Sequence, residues 1–406
     1  MGTPGTSPAN LELQAACRSS VPMTSNHETK GPGMSETQSP SVAPVAATKV
    51  GPGLPVRRSY RWRGKLEAVV IPTGAIIVSI ILFGIFCAIN GAKPFAVYAS
   101  INKAAFANWY AWQETLVRAA PLMLCALCTA IPIRLGLVII GNEGALVIGG
   151  LFATAAGLAV PNASPLATQL IMAAAGMLCG GLWIMIVGAL KYFRGVNETI
   201  SGLLMNYIAI AILNQMVNGP MRDPSSLNKP SSFPIPDEKM LQPIGNSSVH
   251  WGLVYGIVAC VLVWFLVHHT TFGFKMRTIG GNIRAARIAG LPVGAVMLIA
   301  CFIAGAMPGL AGMVEVAAVN GSANESLNAW YGNSGILVAF LARQNALAVI
   351  IVSILLGGLL ASGGILQRVH HLPDATTLVF QGLVFVVILF SESLYGRWKF
   401  FREKSA

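Results

Sequence analysis

Long apolar runs that carry almost no charge dominate the sequence. They occupy residues 68–89, 115–133, 135–158, 166–190, 198–218, 251–269, 291–315, 331–342, 344–366 and 375–391. About 20 apolar residues in a helix cross a hydrocarbon core of about 30 Å, and most of these runs reach that length. Hydrophobic residues make up 54% of the chain and charged residues only 10%, which excludes a soluble globular protein. We therefore predict an all-α fold, a polytopic transmembrane helical bundle of about ten spans.

The second and third runs are separated by residues that interrupt helices. Pro132, Arg134 and Gly141 lie at or near the junction. Non-helical backbone at membrane depth is tolerated only where it is buried in protein or lines a cavity. We expect a tilted or re-entrant element here. Glu143, which follows this break, is then either part of a binding site or a packing switch.

The net charge of +12 is concentrated beside the apolar runs. Short loops rich in Lys and Arg face the cytoplasm, so the pattern predicts cytoplasmic N- and C-termini and gives the basic excess an orienting role rather than a nucleic-acid partner. The basic clusters consist of Arg57, Arg58, Arg61, Arg63, Lys65, Lys191, Arg194, Arg397, Lys399, Arg402 and Lys404.

The ends of the chain differ in composition from its middle. Residues 1–60 are rich in Pro, Ser, Thr and Gly and poor in large apolar residues, so they cannot bury enough surface to offset the entropy of ordering. We predict a disordered basic cytoplasmic tail there, a transmembrane domain over residues 66–392 and a second cytoplasmic tail over residues 393–406.

A basic, alanine-rich segment joins two of the runs at about residues 270–291. It contains Lys275, Arg277, Arg284 and Arg287 and no acidic residue, which places it on the cytoplasmic face by the same charge rule. We interpret this coupling segment as a docking surface for a cytoplasmic motor protein.

Two patterns of small residues are assigned to packing. Cys125 and Cys128 form a C-x-x-C, but they lie in an apolar run with no histidine or second cysteine pair nearby, so we expect buried packing rather than a redox or metal site. Glycines four residues apart let two helices approach closely. Two pairs have this spacing: Gly176 with Gly180, and Gly305 with Gly309.

Acidic residues inside apolar runs need a reason, because a charge at a helix centre costs about 2.5–3.5 kcal/mol on insertion scales. Glu143, Glu198 and Glu315 are in this class. Asn197 is expected to cap the helix that begins at Glu198. Glu198 then either belongs to the cap alone or contacts the coupling segment and transmits motion.

Amide and hydroxyl side chains mark one face of the fifth run. Thr199, Asn206, Asn214 and Asn218 are seven, eight and four residues apart, which keeps them on one side of a helix. They either form interhelical hydrogen bonds, worth about 0.6–2 kcal/mol each, or line a solute path. The spacing fits both interpretations.

Three segments together resemble a known family. Residues 195–209 read Gly-Val-Asn-Glu-Thr-Ile-Ser-Gly-Leu-Leu-Met-Asn-Tyr-Ile-Ala, residues 280–290 read Gly-Gly-Asn-Ile-Arg-Ala-Ala-Arg-Ile-Ala-Gly, and residues 141–144 read Gly-Asn-Glu-Gly. Over residues 66–392 the chain resembles the permease subunits of ATP-binding-cassette (ABC) importers for ribose, branched-chain amino acids and nucleosides, most of all the nucleoside branch. It departs from that branch in polarity at four positions: Ile139, Ala145, Asn333 and Ser334.

The resemblance implies a transport subunit rather than an enzyme, which forms the path for a small polar solute, a nucleoside or a related sugar-bearing compound, in a bacterial inner membrane. The implied partners are ABC ATP-binding subunits, a second permease subunit, an extracytoplasmic solute-binding protein and the lipid bilayer. No cofactor is implied in this chain, since the partner hydrolyses ATP, and the sequence has no Gly-x-x-x-x-Gly-Lys-Ser/Thr phosphate-binding motif.

The residue patterns and the resemblance together indicate roles for individual residues. Coupling to the ATPase is expected at Asn282, Arg284, Ala285, Ala286, Arg287 and Gly290. The candidate solute path comprises Glu143, Asn206, Asn214, Trp330, Tyr331 and Asn333. A structural or gating role is expected for Asn197, Glu198 and Glu315.

Other functions stay open at this point. An ABC permease for a simple sugar or a branched-chain amino acid would share the same motifs. An ion-coupled secondary transporter could use Glu143 or Glu198 as a proton carrier, but it would not need the coupling segment. An intramembrane enzyme is disfavoured, because the adjacent histidine pairs lack the spacing and the interposed Glu of a zinc-binding helix.

Overall fold

The computed structural model describes residues 60–226, 229–373 and 375–394, with the side chains of residues 73–226, 229–373 and 375–391. The described part of the chain is helical and contains no β-strand, only isolated bridges, which confirms the all-α prediction. The helices are α1 (Tyr60–Ile89), α2 (Pro94–Phe106), α3 (Trp109–Ala130), α4 (Asn142–Ala159), α5 (Pro165–Arg194), α6 (Glu198–Asn218), α7 (Gly252–His269), α8 (Thr271–Gly281), α9 (Ile283–Ile288), α10 (Val293–Glu315), α11 (Tyr331–Leu341), α12 (Ala346–His370) and α13 (Thr376–Leu394).

The polytopic helical bundle is confirmed, but two of the ten predicted spans, residues 331–342 and 375–391, are not among the described helices that are long and apolar enough to cross a membrane. Seven described helical segments are long and apolar enough to cross a membrane, and the bent pair α1–α2, with 115° between its two parts, gives an eighth if it counts as one span. The predicted span over residues 331–342 corresponds to α11, which has only 11 residues. A helix of that length rises about 16 Å, half of a bilayer core. The tail predictions for residues 1–60 and 393–406 fall outside the residues whose side chains are described.

The faces of α6 are arranged as expected for a helix that borders lipid. Ser201, Gly202 and Asn206 are buried against the rest of the protein, whereas Leu204 and Ile208 are exposed. In this part of α6 the large apolar side chains therefore face outward and the polar ones inward, whereas further along the helix Leu213 and Val217 are also buried. Such an arrangement is stable when the surrounding solvent is hydrocarbon, because a buried polar group finds hydrogen-bond partners that lipid cannot supply.

A glycine seam joins α5 to α10 at the centre of the bundle. A Cβ added to Gly176 would lie 2.7 Å from the carbonyl oxygen of Gly309, and one added to Gly180 would lie 2.7 Å from that of Gly305. Real Cβ atoms do not approach so closely, so only glycine fits at these positions. The packing role predicted for both glycine pairs is confirmed. The C-x-x-C cysteines are buried in the same apolar core.

The predicted break between the second and third runs is also confirmed. Helix α3 is followed by a 3-10 turn at Pro132–Leu135, Gly136 adopts a φ of 77°, and residues 137–141 are not helical before α4 begins. Leu137 and Ile139 are buried within this stretch. Non-helical backbone thus runs inside the protein, where other groups in the bundle can satisfy its carbonyls.

The polar segment between α6 and α7 folds over the end of α10. The backbone N–H of Ser232 donates to Ala323 at 2.8 Å, and that of Leu241 donates to Ala317 at 2.8 Å. These bonds fix the irregular chain that connects α10 to α11. The N-terminus of the short helix α11 is thereby held inside the protein.

Candidate functional site

The buried carboxylate of Glu143 caps the N-terminus of α11. Its Oε1 accepts a hydrogen bond from the backbone N–H of Trp330 at 2.9 Å, and its Oε2 accepts one from Gly332 at 2.6 Å. The residue is 2% exposed, and α11 has no side-chain cap from its own sequence. A helix N-terminus carries unsatisfied N–H groups and a partial positive charge. Glu143 supplies both the acceptors and the opposite charge.

Asn142, beside Glu143, ties the same point to α3. Its Nδ2 donates to the carbonyl of Cys125 at 3.1 Å and to the hydroxyl of Thr129 at 2.9 Å. The residue is fully buried. The start of α4 is therefore bonded to α3 on one side and to α11 on the other.

The polar face of α6 divides into two parts. Asn206 is buried and accepts from the backbone N–H of Gly144 at 2.8 Å, while its Nδ2 donates to the carbonyl of Ile140 at 3.0 Å. Thr199 donates to the carbonyl of Val138 at 2.7 Å. Both residues therefore satisfy backbone groups at the break before α4, which favours interhelical hydrogen bonding over a solute path for this part of the face.

The outer part of that face makes a different contact. Asn218 donates to the backbone carbonyl of Asn214 at 2.8 Å within the same helix. Asn214 is half-buried and Asn218 is exposed. The polar face predicted from Thr199, Asn206, Asn214 and Asn218 is therefore not one continuous buried surface.

A charged cluster lies where α3, α10 and α11 meet. Arg118 of α3 is within hydrogen-bonding range of the Tyr331 hydroxyl and close enough to Glu315 for their opposite charges to attract. Glu315 and Tyr331 are buried. Because a lone charge in a membrane protein is costly, the positive charge of Arg118 offsets part of the cost of burying Glu315 at the end of α10.

A cavity of about 470 Å³ opens between the break, α11 and α13. It contains two residues of the predicted solute path, Trp330 at 52% exposure and the half-buried Asn333. The cavity is lined by Ile140, Trp330, Asn333, Ser334, Ile336, Leu337, Leu378, Gln381, Gly382 and Phe385. Its size falls in the range of small-molecule sites, and mostly apolar walls with a few polar groups are typical of such sites.

The remaining predicted path residues are not part of this lining. Glu143 lies behind α11, where it accepts from backbone N–H groups. Tyr331 is the first residue of α11, and its hydroxyl is within hydrogen-bonding range of Arg118. Asn206 and Asn214 are not among the described residues that line the cavity. Among the described residues, the cavity brings Trp330 and Asn333 together with Ser334 and Gln381. The hydroxyl of Ser334 donates to Oε1 of Gln381 at 2.7 Å.

The coupling segment forms two short helices, α8 and α9. Asn282 caps α9, since its Oδ1 accepts from the N–H groups of Arg284 and Ala285 at 3.0 and 3.1 Å. Arg284 and Arg287 are exposed, and Ile288 is 88% exposed.

One residue of the predicted coupling set does not belong to the exposed surface. Ala286 is 1% exposed and packs against the hydrophobic core of the helical bundle. Gly290 forms the turn after α9 with a φ of 75°. The surface that α9 presents therefore consists of Ile283, Arg284, Ala285, Arg287 and Ile288.

Residues 112–389 match the family described as branched-chain amino acid transport system / permease component. The matched residues cover more than half of the chain. The chain belongs to this permease family.

Individual relatives match about four fifths of the chain. This permease is 30% identical to the guanosine ABC transporter permease protein NupP of Bacillus subtilis over 82% of its own chain and 95% of the relative. It is 27% identical to the glucose ABC transporter permease protein TsgB13 of Haloferax volcanii over 79% and 87% of the two chains. It is 24% identical to the nucleoside ABC transporter permease protein NupB of Lactococcus lactis over 80% and 93%. The resemblance inferred from the three motifs is confirmed.

Glu198 of the permease makes a local contact. Asn197 caps α6 as predicted, accepting from Thr199 at 2.9 Å and Ile200 at 3.3 Å. The Glu198 carboxylate lies 2.8 Å from the Lys191 ammonium at the end of α5. The ion pair joins α5 to α6, and it accounts for Glu198 without a contact to the coupling segment.

Sequence analysis missed Arg118, Arg134 and Gln381 as residues of the site. Arg118 was visible as a cation in the middle of an otherwise apolar run, a position that calls for a buried partner. Gln381 was visible as a lone amide in the last run. Neither Arg118 nor Gln381 belongs to a motif, so no sequence pattern indicates which residues they contact.

Proposed function

We propose that this permease forms the solute path of an ABC importer for a nucleoside or a related sugar-bearing compound. The observation that carries the proposal is the similarity to the guanosine permease NupP over 82% of this chain and 95% of the relative. The nucleoside permease NupB, from a second organism, points to the same solute class. The cavity beside α11 supports it, because the half-exposed Trp330 offers an aromatic face to a planar base and Asn333 offers hydrogen bonds to polar edges.

The energy for transport would come from partner subunits. The sequence has no phosphate-binding motif of its own, and the α9 helix of the coupling segment presents two arginines and two exposed isoleucines, Ile283 and Ile288. An exposed apolar residue ringed by charges is typical of a protein–protein contact. We assign α9 to the contact with an ATP-binding subunit and expect a second permease subunit and an extracytoplasmic solute-binding protein in a bacterial inner membrane.

A simple sugar is the second candidate solute. The similarity to the glucose permease TsgB13 favours it. Ile139 and Ala145, two of the positions where the chain departs in polarity from the nucleoside branch, are apolar and fully buried. A branched-chain amino acid has the weaker support of the family description alone.

Transport assays separate these candidates. The complete transporter is reconstituted in proteoliposomes, and uptake of labelled guanosine, uridine, glucose and leucine is measured with its binding protein present. The proposal expects nucleoside uptake that competes with other nucleosides, requires ATP and survives a protonophore. Glucose uptake without nucleoside competition would select the second candidate, and uptake that collapses with the proton gradient at constant ATP would replace the ABC mechanism by a secondary carrier.

A further inference from the structure

Helix α11 is held at both ends by charged residues from either side of one break in the chain. Glu143, after the break, accepts from the N–H groups of Trp330 and Gly332 at the N-terminus. Arg134, before the break, donates through Nη2 to the carbonyl of Gln344 at 2.9 Å, just past the C-terminus. An acid at the N-terminus and a base at the C-terminus both complement the helix dipole.

The backbone at both ends of α11 adopts a conformation that side chains disfavour. Trp330 has a φ of 63°, Arg343 a φ of 48° and Gln344 a φ of 59°. Non-glycine residues adopt this left-handed region only where the surrounding structure imposes it. The contacts from Glu143 and Arg134 lie at these same points. Helix α11 therefore lies between two turns whose backbone geometry depends on the side chains of Glu143 and Arg134.

Arg134 also contacts the coupling segment. Its backbone carbonyl lies so close to Gly280 of α8 that no Cβ fits between them. Arg277, also on α8, is near enough for its positive charge to act on that of Arg134. A displacement of α8 must therefore move the turn that carries Arg134.

The opposite side of α11 forms a wall of the cavity. Asn333, Ser334 and Leu337 all line it. The hydroxyl of Ser334 donates a hydrogen bond to Gln381 of α13, which also lines the cavity. The position of α11 thus fixes both the width of the cavity and the direction of its polar groups.

We infer that Arg134 and Glu143 are positioning residues that connect the coupling segment to the solute cavity through α11. Movement of α8 shifts Arg134, Arg134 shifts the C-terminal end of α11, and Glu143 holds the N-terminal end, so that α11 tilts and changes the cavity wall. Neither residue contacts the solute. The inference rests on the proposed function, because it assumes that a partner moves the coupling segment.

The test measures the movement of α11 separately from transport. Asn333→Cys is introduced as a reporter into the complete reconstituted transporter, and its rate of reaction with a small polar thiol reagent is measured without nucleotide and after trapping with ATP and vanadate. We expect the rate to differ between the two states in the otherwise unchanged chain. With Arg134→Ala the difference should disappear while ATP hydrolysis continues. Uptake, measured with Asn333 in place, should fall about tenfold, as expected for the loss of a charge-assisted hydrogen bond.

Conservative and remote variants complete the design. Arg134→Lys keeps a charged donor and should restore part of the difference and of the uptake, which a folding defect alone would not predict. Glu143→Gln keeps one acceptor but loses the charge, and should show the same loss as Arg134→Ala in weaker form. Arg368→Ala removes an exposed arginine on α12 and should change neither readout.

Three results overturn the inference. They are an unchanged state-dependent reaction rate in both Arg134→Ala and Glu143→Gln, a loss in Arg134→Ala that Arg134→Lys does not relieve at equal inserted amounts, and no state dependence in the unchanged chain. A clear state dependence without any nucleoside uptake has a different meaning. It contradicts the solute assignment and leaves the positioning role of Arg134 and Glu143 supported.

Discussion

The ammonium of Lys191 lies 2.8 Å from the carboxylate of Glu198 and joins the last turn of α5 to the first turn of α6. The Lys191 side chain is 34% exposed and that of Glu198 is 13% exposed. Partial exposure screens the attraction, so the pair contributes about 1 kcal/mol or less. We expect a double-mutant cycle of Lys191→Met and Glu198→Gln to give a coupling energy of that size in thermal unfolding in detergent. A coupling of several kcal/mol would show that the pair is shielded by a partner subunit.

The glycine seam should tolerate no added methyl group. Gly309→Ala places a Cβ against the backbone of Gly176 and Gly180, and the resulting overpacking should cost about 1–3 kcal/mol. Gly382→Ala is the matched control, because a Cβ there meets no atom within 4 Å. The unfolding temperature should fall for Gly309→Ala and stay the same or rise for Gly382→Ala. Equal effects of the two substitutions would contradict close contact at the seam.

Asn206 should behave as a folding residue and Trp330 as a cavity residue. Asn206→Ala leaves the N–H of Gly144 and the carbonyl of Ile140 without their partner, and each buried unsatisfied group costs about 1–3 kcal/mol. Less inserted protein with an unchanged half-saturation concentration is the expected result. Trp330→Ala removes a half-exposed wall of the cavity and should raise the half-saturation concentration at normal insertion. The reverse pattern would place Asn206 on the solute path.

Substitutions on the exposed side of α9 should affect coupling to the ATPase, and substitutions on its buried side should affect folding. Arg287→Glu reverses the charge of an exposed residue and should reduce co-purification of the ATP-binding subunit and uncouple transport from ATP hydrolysis, because like charges brought together at an interface disfavour binding. Ala286→Asp buries a charge inside the permease and should lower the amount of inserted protein instead. Comparing inserted amount and co-purification for the two variants checks this division. Normal coupling in Arg287→Glu would remove α9 from the contact.

His250, in the segment before α7, should make stability depend on pH. Its Nδ1 accepts from the N–H of Gly252 at 3.1 Å, and burial lowers the pKa of this histidine to about 4. The unfolded chain, with an ordinary histidine pKa of about 6.5, binds the proton first. The contribution of neutral His250 to the free energy of unfolding is therefore complete above pH 6.5. It is lost as the pH falls towards 4, by at most about 3 kcal/mol.

Unfolding temperatures between pH 4.5 and pH 7.5 test this dependence. His250→Gln should flatten the profile over that window, whereas the exposed His269→Gln should leave it as it is. A profile that is unaffected by His250→Gln would assign the pH dependence to other groups.

The family could be recognised from the sequence because its evidence is local. Apolar runs predict helices wherever lipid is the solvent, and the Gly-Val-Asn-Glu and Ala-Ala-Arg motifs are contiguous stretches that need no fold to be recognised. The caps at Asn197 and Asn282 were equally accessible, because a cap bonds N–H groups only two or three residues away.

The site depended on contacts between residues far apart in the chain, and only the tertiary structure decided it. Glu143 and Trp330 are 187 residues apart, and Arg134 and Gln344 are 210 apart. Nothing in the pattern of either segment indicates such a partner, since a buried carboxylate serves equally well as a ligand for a solute or as a cap for a helix. The length of α11 was hidden for the same reason: an apolar run predicts a helix, but where that helix begins inside the bundle depends on which side chain satisfies its first N–H groups.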